Sequence, residues 1–302
     1  MSIHPTQFPA FDGLKVIAAF GIVWFHTPHA IGREIGYAGL VIFLLISFII
    51  LNTRPQSNTT YLKYLQQRGK RLLLPWVFWS IFYGLIAMRQ SYSFHEFSLS
   101  GILTGTTIHL WYLPFAFLAS FSVFTILKLT EKISTRLLVI IGTIVLILWL
   151  IVYPIFETMF TSSPWRQWNY GAVSIPLGIT LGQALKLPPK QRYEIMLTIA
   201  IMMVILSVYL AQMNQFGTGV SYMIGTIFVI IALSVTIPSS AFVTKLSALT
   251  FGIYLLHPLV FMICYKLYGG NISAETLMVS GFFCAGILTA ILRQFSWGRQ
   301  IL

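Results

Sequence analysis

The sequence predicts an all-α integral membrane protein with about ten transmembrane helices and both termini in the cytoplasm. Three observations carry the prediction: an apolar composition, a succession of apolar runs of spanning length, and basic residues gathered in alternate loops. Of the 302 residues, 57% are hydrophobic and only 9% are charged, with a mean hydropathy of +0.82. A soluble domain carries about 25% charged residues, so this chain has too few to cover a water-exposed surface. Its 24 Phe, 14 Tyr and 8 Trp exclude a disordered or collagen-like chain, because that much apolar mass does not stay solvated.

A helix crosses a bilayer with roughly 20 mostly apolar residues. Runs of that kind, bounded by charges or by Pro, Gly, Asn and Ser clusters, fall at 12–30, 36–52, 70–88, 108–127, 136–154, 170–186, 194–212, 219–237, 246–266 and 276–293. The run at 170–186 is short and interrupted by Pro176. No stretch between runs is long enough for a soluble domain, so residues 1–302 are expected to form one transmembrane domain. The first run has Lys15 as the single basic residue of its N-terminal region and no A-x-A pattern around Ile31–Glu34, so it reads as a retained helix. With the N-terminus inside, only Arg33, Arg89, Arg166 and Lys266 of the 19 Lys and Arg residues lie outside. That asymmetry fixes the orientation. It also explains the net charge of +12 as a topology signal rather than a nucleic-acid face. Cys264 and Cys284 sit in apolar runs without metal-ligand or disulfide spacing.

Ionisable groups are costly inside a membrane, and those that are kept there are candidates for function. Lys15 and His26 lie 11 residues apart in the first run. At 1.5 Å and about 100° per residue they are about 16 Å apart and roughly 20° from eclipsed, hence on one helix face. An anchoring lysine and a packing histidine would be unremarkable singly; the pair on one face points to chemistry. His29 lies one turn beyond His26. Arg68-Gly69-Lys70-Arg71 enters the third run from the cytoplasmic side, and Arg68 and Arg71, three apart, share a face. Positive-inside anchoring accounts for any one of these charges, but two guanidinium forks at a helix mouth suit phosphate. His109-Leu-Trp111-Tyr112-Leu-Pro opens the fourth run, where Trp and Tyr also serve as ordinary interfacial belt residues. Phe251-Gly-Ile-Tyr254-Leu-Leu-His257-Pro lies in the ninth, and a histidine beside a helix-breaking proline suits a kink lining a cavity.

An imidazole titrates near neutrality and suits a general base toward a hydroxyl. A basic mouth on the opposite face suits a phosphorylated donor. Together they describe transfer from a cytoplasmic activated donor, acetyl-CoA for instance, to an acceptor on the far side. The sequence has no G-x-S-x-G elbow and no P-loop, which argues against an acyl-serine intermediate and ATP hydrolysis. A polytopic transporter or flippase for a glycolipid or small metabolite is the alternative. Its coupling sites usually use intramembrane carboxylates, and none of the seven acidic residues falls near the middle of a run.

On these motifs the chain resembles the membrane acyltransferase 3 family, which includes bacterial O-antigen and exopolysaccharide O-acetyltransferases. Lys15 and His26 are similar to that family's basic-x10-His motif, and Arg68-Gly69-Lys70-Arg71 to its R-x-x-R motif. The His109 and Phe251–Pro258 segments are similar to later family signatures, so the resemblance covers nearly the whole chain. It implies acyl transfer, commonly of acetyl, from acyl-CoA to a glycan hydroxyl on the periplasmic side. His26 would be the catalytic residue, and Lys15, Arg68 and Arg71 donor-site residues. His29, His109, Trp111, Tyr112, Tyr254 and His257 are candidates to line the site. The implied partners are acyl-CoA, a glycan or lipid-linked polysaccharide, and the bilayer of a bacterial inner membrane. No metal, no permanently bound cofactor and no nucleic acid is expected. Glu34, Glu96, Glu157, Trp165 and Arg166 are candidates for the acceptor side. Two departures stand out: lysine replaces the family's usual arginine at position 15, and Phe48 follows Ser47 where the family carries a Ser-Gly pair.

Overall fold

The computed structural model describes residues 8–53, 59–89, 99–213, 215–238 and 240–302; Glu96 and Arg54 lie outside the described residues. The helices are α1 (Pro9–His26), α2 (Arg33–Gly36), α3 (Ala38–Thr53), α4 (Tyr61–Arg89), α5 (Leu99–Thr104), α6 (Tyr112–Leu129), α7 (Thr135–Met159), α8 (Trp165–Ala172), α9 (Ser174–Ala184), α10 (Pro189–Gln212), α11 (Phe216–Ser234), α12 (Ala241–Ser247), α13 (Thr250–Tyr268), α14 (Ala274–Leu292) and α15 (Gly298–Ile301). A 3-10 turn, Ile108–Trp111, leads into α6. No strand occurs among the described residues.

Eight helical segments among them are long and apolar enough to cross a membrane: Arg33–Thr53, Tyr61–Arg89, Ile108–Leu129, Thr135–Met159, Pro189–Gln212, Phe216–Ser234, Thr250–Tyr268 and Ala274–Leu292. The chain is an all-α integral membrane protein. The sequence predicts about ten spans, and the two without a counterpart among these eight have physical reasons. The run at 12–30 contains α1, whose Asp12, Lys15 and His26 reduce its apolar character. The run at 170–186 is broken near Val173 into the short helices α8 and α9. Pro176 has no N–H for the carbonyl of Ala172 four residues earlier, and the helix divides there. Lipid-facing stripes follow helical spacing. Ile140, Ile144, Leu148, Ile151 and Ile155 are exposed along α7, as are Leu197, Ile201 and Ile205 along α10.

The chain packs as two compact units, with divisions inside α3 and α10. One comprises Ser47–Arg192 with Ile301. In it, Tyr64 of α4 stacks on Phe124 of α6 with centroids 4.1 Å apart, and its hydroxyl donates to the Ser120 carbonyl at 3.0 Å. The buried Asn52 amide donates to the Ile179 carbonyl at 3.2 Å and accepts from Gln183 Nε2 at 2.8 Å, tying α3 to α9. Phe48, 1% exposed, occupies space left by a glycine opposite: a Cβ on Gly178 would lie 2.7 Å from Phe48 Cβ. The small residue that the family pattern puts after Ser47 is thus supplied from α9.

The other unit comprises the described residues up to Ile46 together with Tyr193–Gln300 and Leu302. At its centre α1 packs against α2, α11, α12, α13 and α14. Small residues permit the approach, as is usual between membrane helices. A Cβ on Gly21 would sit 2.8 Å from the Gly36 carbonyl oxygen, so α1 and α2 meet backbone to backbone.

Candidate active site

In the unit built around α1, that helix ends at His26, where Thr27 turns extended and its N–H bonds the Trp24 carbonyl at 3.1 Å. His26 is half-buried at this end. Its ring centroid lies 5.1 Å from that of His257 on α13, with 37° between the planes. His257 is fully buried. Its Nδ1 lies 2.8 Å from the Tyr254 carbonyl oxygen, which makes Nδ1 the donor and leaves Nε2 with the lone pair in the neutral ring. The carbonyl is available because residue 258 is proline. An ordinary residue there would donate its N–H to Tyr254, and Pro258 cannot. The proline that sequence reading took as a sign of a kink therefore has a definite local effect inside a continuous helix: it orients His257. Phe261 meets the His257 ring edge-on at 5.6 Å, and the Tyr254 ring centroid lies 6.4 Å away.

At the other end of α1, Lys15 Nζ lies 3.2 Å from Asp12 Oδ1. Asp12 also accepts from Ser247 Oγ at 2.8 Å and Thr244 Oγ1 at 3.0 Å, both on α12. Lys15 is thus held by a carboxylate one turn away that is itself fastened to a second helix. Asp12 was legible as an i, i+3 partner of Lys15, yet sequence reading gave it no role. His29 lies on the exposed turn after α1 at φ 60°, and makes no ring contact with His26 or His257. The same turn carries Arg33, whose guanidinium carbon sits 5.3 Å from the Phe25 ring centroid.

In the other unit, Arg68 and Arg71 are well inside α4 rather than at its start. Arg68 Nε donates to the Tyr64 hydroxyl at 3.2 Å, which in turn is fixed to α6. Tyr112 lies within electrostatic reach of both arginines, so two motifs that the sequence separates by some 40 residues act on one locality. His109 is buried edge-on against Tyr83 of α4, with centroids 5.4 Å apart. Trp111 is buried between Tyr112 and Phe115, and Phe115 in turn touches Trp168 of α8. Of the acceptor-side candidates, Glu157 and Arg166 pair with each other at 2.6 Å, and Trp165 packs edge-on against Trp168. Glu34 is exposed and its stem rests near Gly217 of α11. Asn169, 5% exposed, has no hydrogen-bond partner for either amide atom among the described residues, and sequence reading did not single it out. No group of three or more metal-ligating side chains comes together among the described residues.

Lys15, His26, His29, Tyr254 and His257 thus belong to one unit, and Arg68, Arg71, His109, Trp111 and Tyr112 to the other. The first set contains an imidazole pair with a fixed tautomer. The second contains two guanidiniums and a phenol, donors suited to anionic oxygen. Comparison with curated proteins and with solved structures finds no match. The family model described as an acyltransferase domain matches residues 8–293, which takes in both sets of residues. The chain belongs to the acyltransferase 3 family of membrane acyltransferases.

Proposed function

We propose that this membrane acyltransferase moves an acyl group, acetyl in the first instance, from acyl-CoA to a hydroxyl of a glycan such as O-antigen or another surface polysaccharide. The proposal sets the protein in a bacterial inner membrane with both termini in the cytoplasm, which the distribution of Lys and Arg supports. The observation that carries it is the His26–His257 pair, in which the Tyr254 carbonyl fixes the His257 tautomer.

In the reaction, neutral His26 accepts the proton of the acceptor hydroxyl as its oxygen attacks the thioester carbonyl. The tetrahedral intermediate collapses with cleavage of the C–S bond. The departing CoA thiolate takes the proton from His26, which returns to its neutral state. His257 orients the His26 ring through the reaction. Arg68, Arg71 and Tyr112 hold the phosphates of the donor, and Lys15, neutralised by Asp12, keeps α1 in register on α12. The test supplies purified protein in nanodiscs with acetyl-CoA labelled in the acetyl group and lipid-linked glycan from the host. The expected result is release of free CoA matched by label in the glycan. Unchanged acetyl-CoA in a folded sample given that glycan would overturn the reading.

A further inference from the structure

Arg33 is the residue that neither the motifs nor the proposed mechanism uses, and it stands beside the base. Gly32, at φ 66°, turns the chain back after α1 and opens α2 with Arg33. Two contacts hold that turn in place: Trp24 Nε1 donates to the Ile31 carbonyl at 3.0 Å, and Tyr37 stacks on Phe25 with centroids 4.3 Å apart. The guanidinium lies 5.3 Å from the Phe25 ring, and Phe25 meets the His26 ring edge-on at 5.1 Å. Those two separations bound the cation's distance from the imidazole at about 10 Å. Arg33 also acts electrostatically on His26. The ion pairs Lys15–Asp12 and Glu157–Arg166 engage other residues, and no carboxylate among the described residues pairs with Arg33. Its neighbour Glu34 has its stem toward Gly217 of α11. A half-buried guanidinium without a counter-ion among the described residues, held on an aromatic ring within reach of the base, has the chemistry of an anion contact.

We propose that Arg33 receives an anionic group of the acceptor, a carboxylate or a phosphate carried within about 10 Å of the hydroxyl that His26 deprotonates. This rests on the acyl-transfer reading and narrows it to an acidic or phosphate-linked glycan. The distance suits a substituent on the same or the next sugar, or the phosphate that links a glycan to its lipid. Those two sources share one chemistry and are separable by probe.

The test is the melting temperature of the purified protein titrated with three compounds: methyl glucuronide, glucose 1-phosphate and methyl glucoside. A ligand that binds only the folded state raises the melting temperature in proportion to ln(1 + [L]/Kd). The expected result is an apparent Kd about tenfold lower for one anionic probe than for the neutral glucoside, as loss of a charge-assisted hydrogen bond predicts. The glucuronide being preferred assigns a sugar carboxylate, and the phosphate being preferred assigns the lipid linkage. Arg33→Gln removes the preference, whereas Arg136→Gln, which alters an exposed cation on α7, keeps it. Where Arg33→Gln fails to fold, Arg33→Lys carries the test, since an ammonium without the guanidinium fork weakens the anionic probe severalfold. Equal binding of all three probes by the wild type would overturn the proposal, as would a preference that survives in Arg33→Gln. An Arg33-dependent shift in a protein that discharges no acetyl-CoA would support the anion contact and overturn the acyl-transfer reading instead.

Discussion

His257 shows how one residue's covalent chemistry reaches its neighbour. Proline lacks an amide hydrogen, so Pro258 leaves the Tyr254 carbonyl without its helical donor, and His257 Nδ1 fills the place at 2.8 Å. A buried imidazole so fixed is held in one tautomer and one orientation beside His26. His257→Phe is therefore expected to lower kcat about 10- to 100-fold, part of the 10²–10⁴ that a positioned base contributes. The KM for acetyl-CoA should stay unchanged. His257→Gln, which keeps a side-chain donor for the carbonyl, should retain more activity than His257→Phe. An altered KM with normal kcat would place His257 in donor binding instead. His26, His257 and the two arginines stand out in the sequence as candidates because each is an ionisable side chain that a membrane makes costly. Arg33 and Asn169 do not. The first is set by a left-handed turn at Gly32 and the second by packing of α8, and neither leaves a mark in residue spacing.

At the scale of elements, the position of α1 is fixed at both ends. Small residues let it meet α2 backbone to backbone, and Asp12 joins it to α12 through two hydroxyls and Lys15. The Asp12 and Lys15 side chains are 27% and 28% exposed, so partial screening keeps the contribution modest. Asp12→Ala is expected to cost about 1–2 kcal/mol. Lys15→Met should cost less, because the carboxylate keeps both hydroxyl donors. Thermal melting in detergent checks the order, and a Lys15 variant less stable than the Asp12 variant would contradict it. Eight of the ten expected runs correspond to helices of spanning length, because continuous apolar runs leave little doubt. The other two were harder to read for opposite reasons. Asp12, Lys15 and His26 dilute α1, and Pro176 divides α8 from α9 through a carbonyl four residues away.

The whole molecule joins two compact units along one chain, and the acyltransferase match extends across both. Orientation is a property at this scale alone, since it comes from the sum of Lys and Arg in alternate loops rather than from any single residue. On the proposed orientation, a green fluorescent protein fused after Leu302 is expected to fluoresce and an alkaline phosphatase fused there to be inactive. The reverse pattern would contradict the proposed orientation and put Arg68 and Arg71 on the face away from the proposed cytoplasmic donor. The composition made the membrane class plain, and the order of four motifs made the family legible. The acceptor was not, because no motif in the residue spacing points to one.

The measurement that bears most directly on the account compares wild type with His26→Ala, using acetyl-CoA labelled in the acetyl group and the host's lipid-linked glycan. The account predicts that the variant inserts, folds and binds acetyl-CoA as the wild type does, while label transfer to glycan falls by at least about 10³-fold. A His26→Ala protein that still acylates the glycan at the wild-type rate would contradict the assignment of His26 as the base.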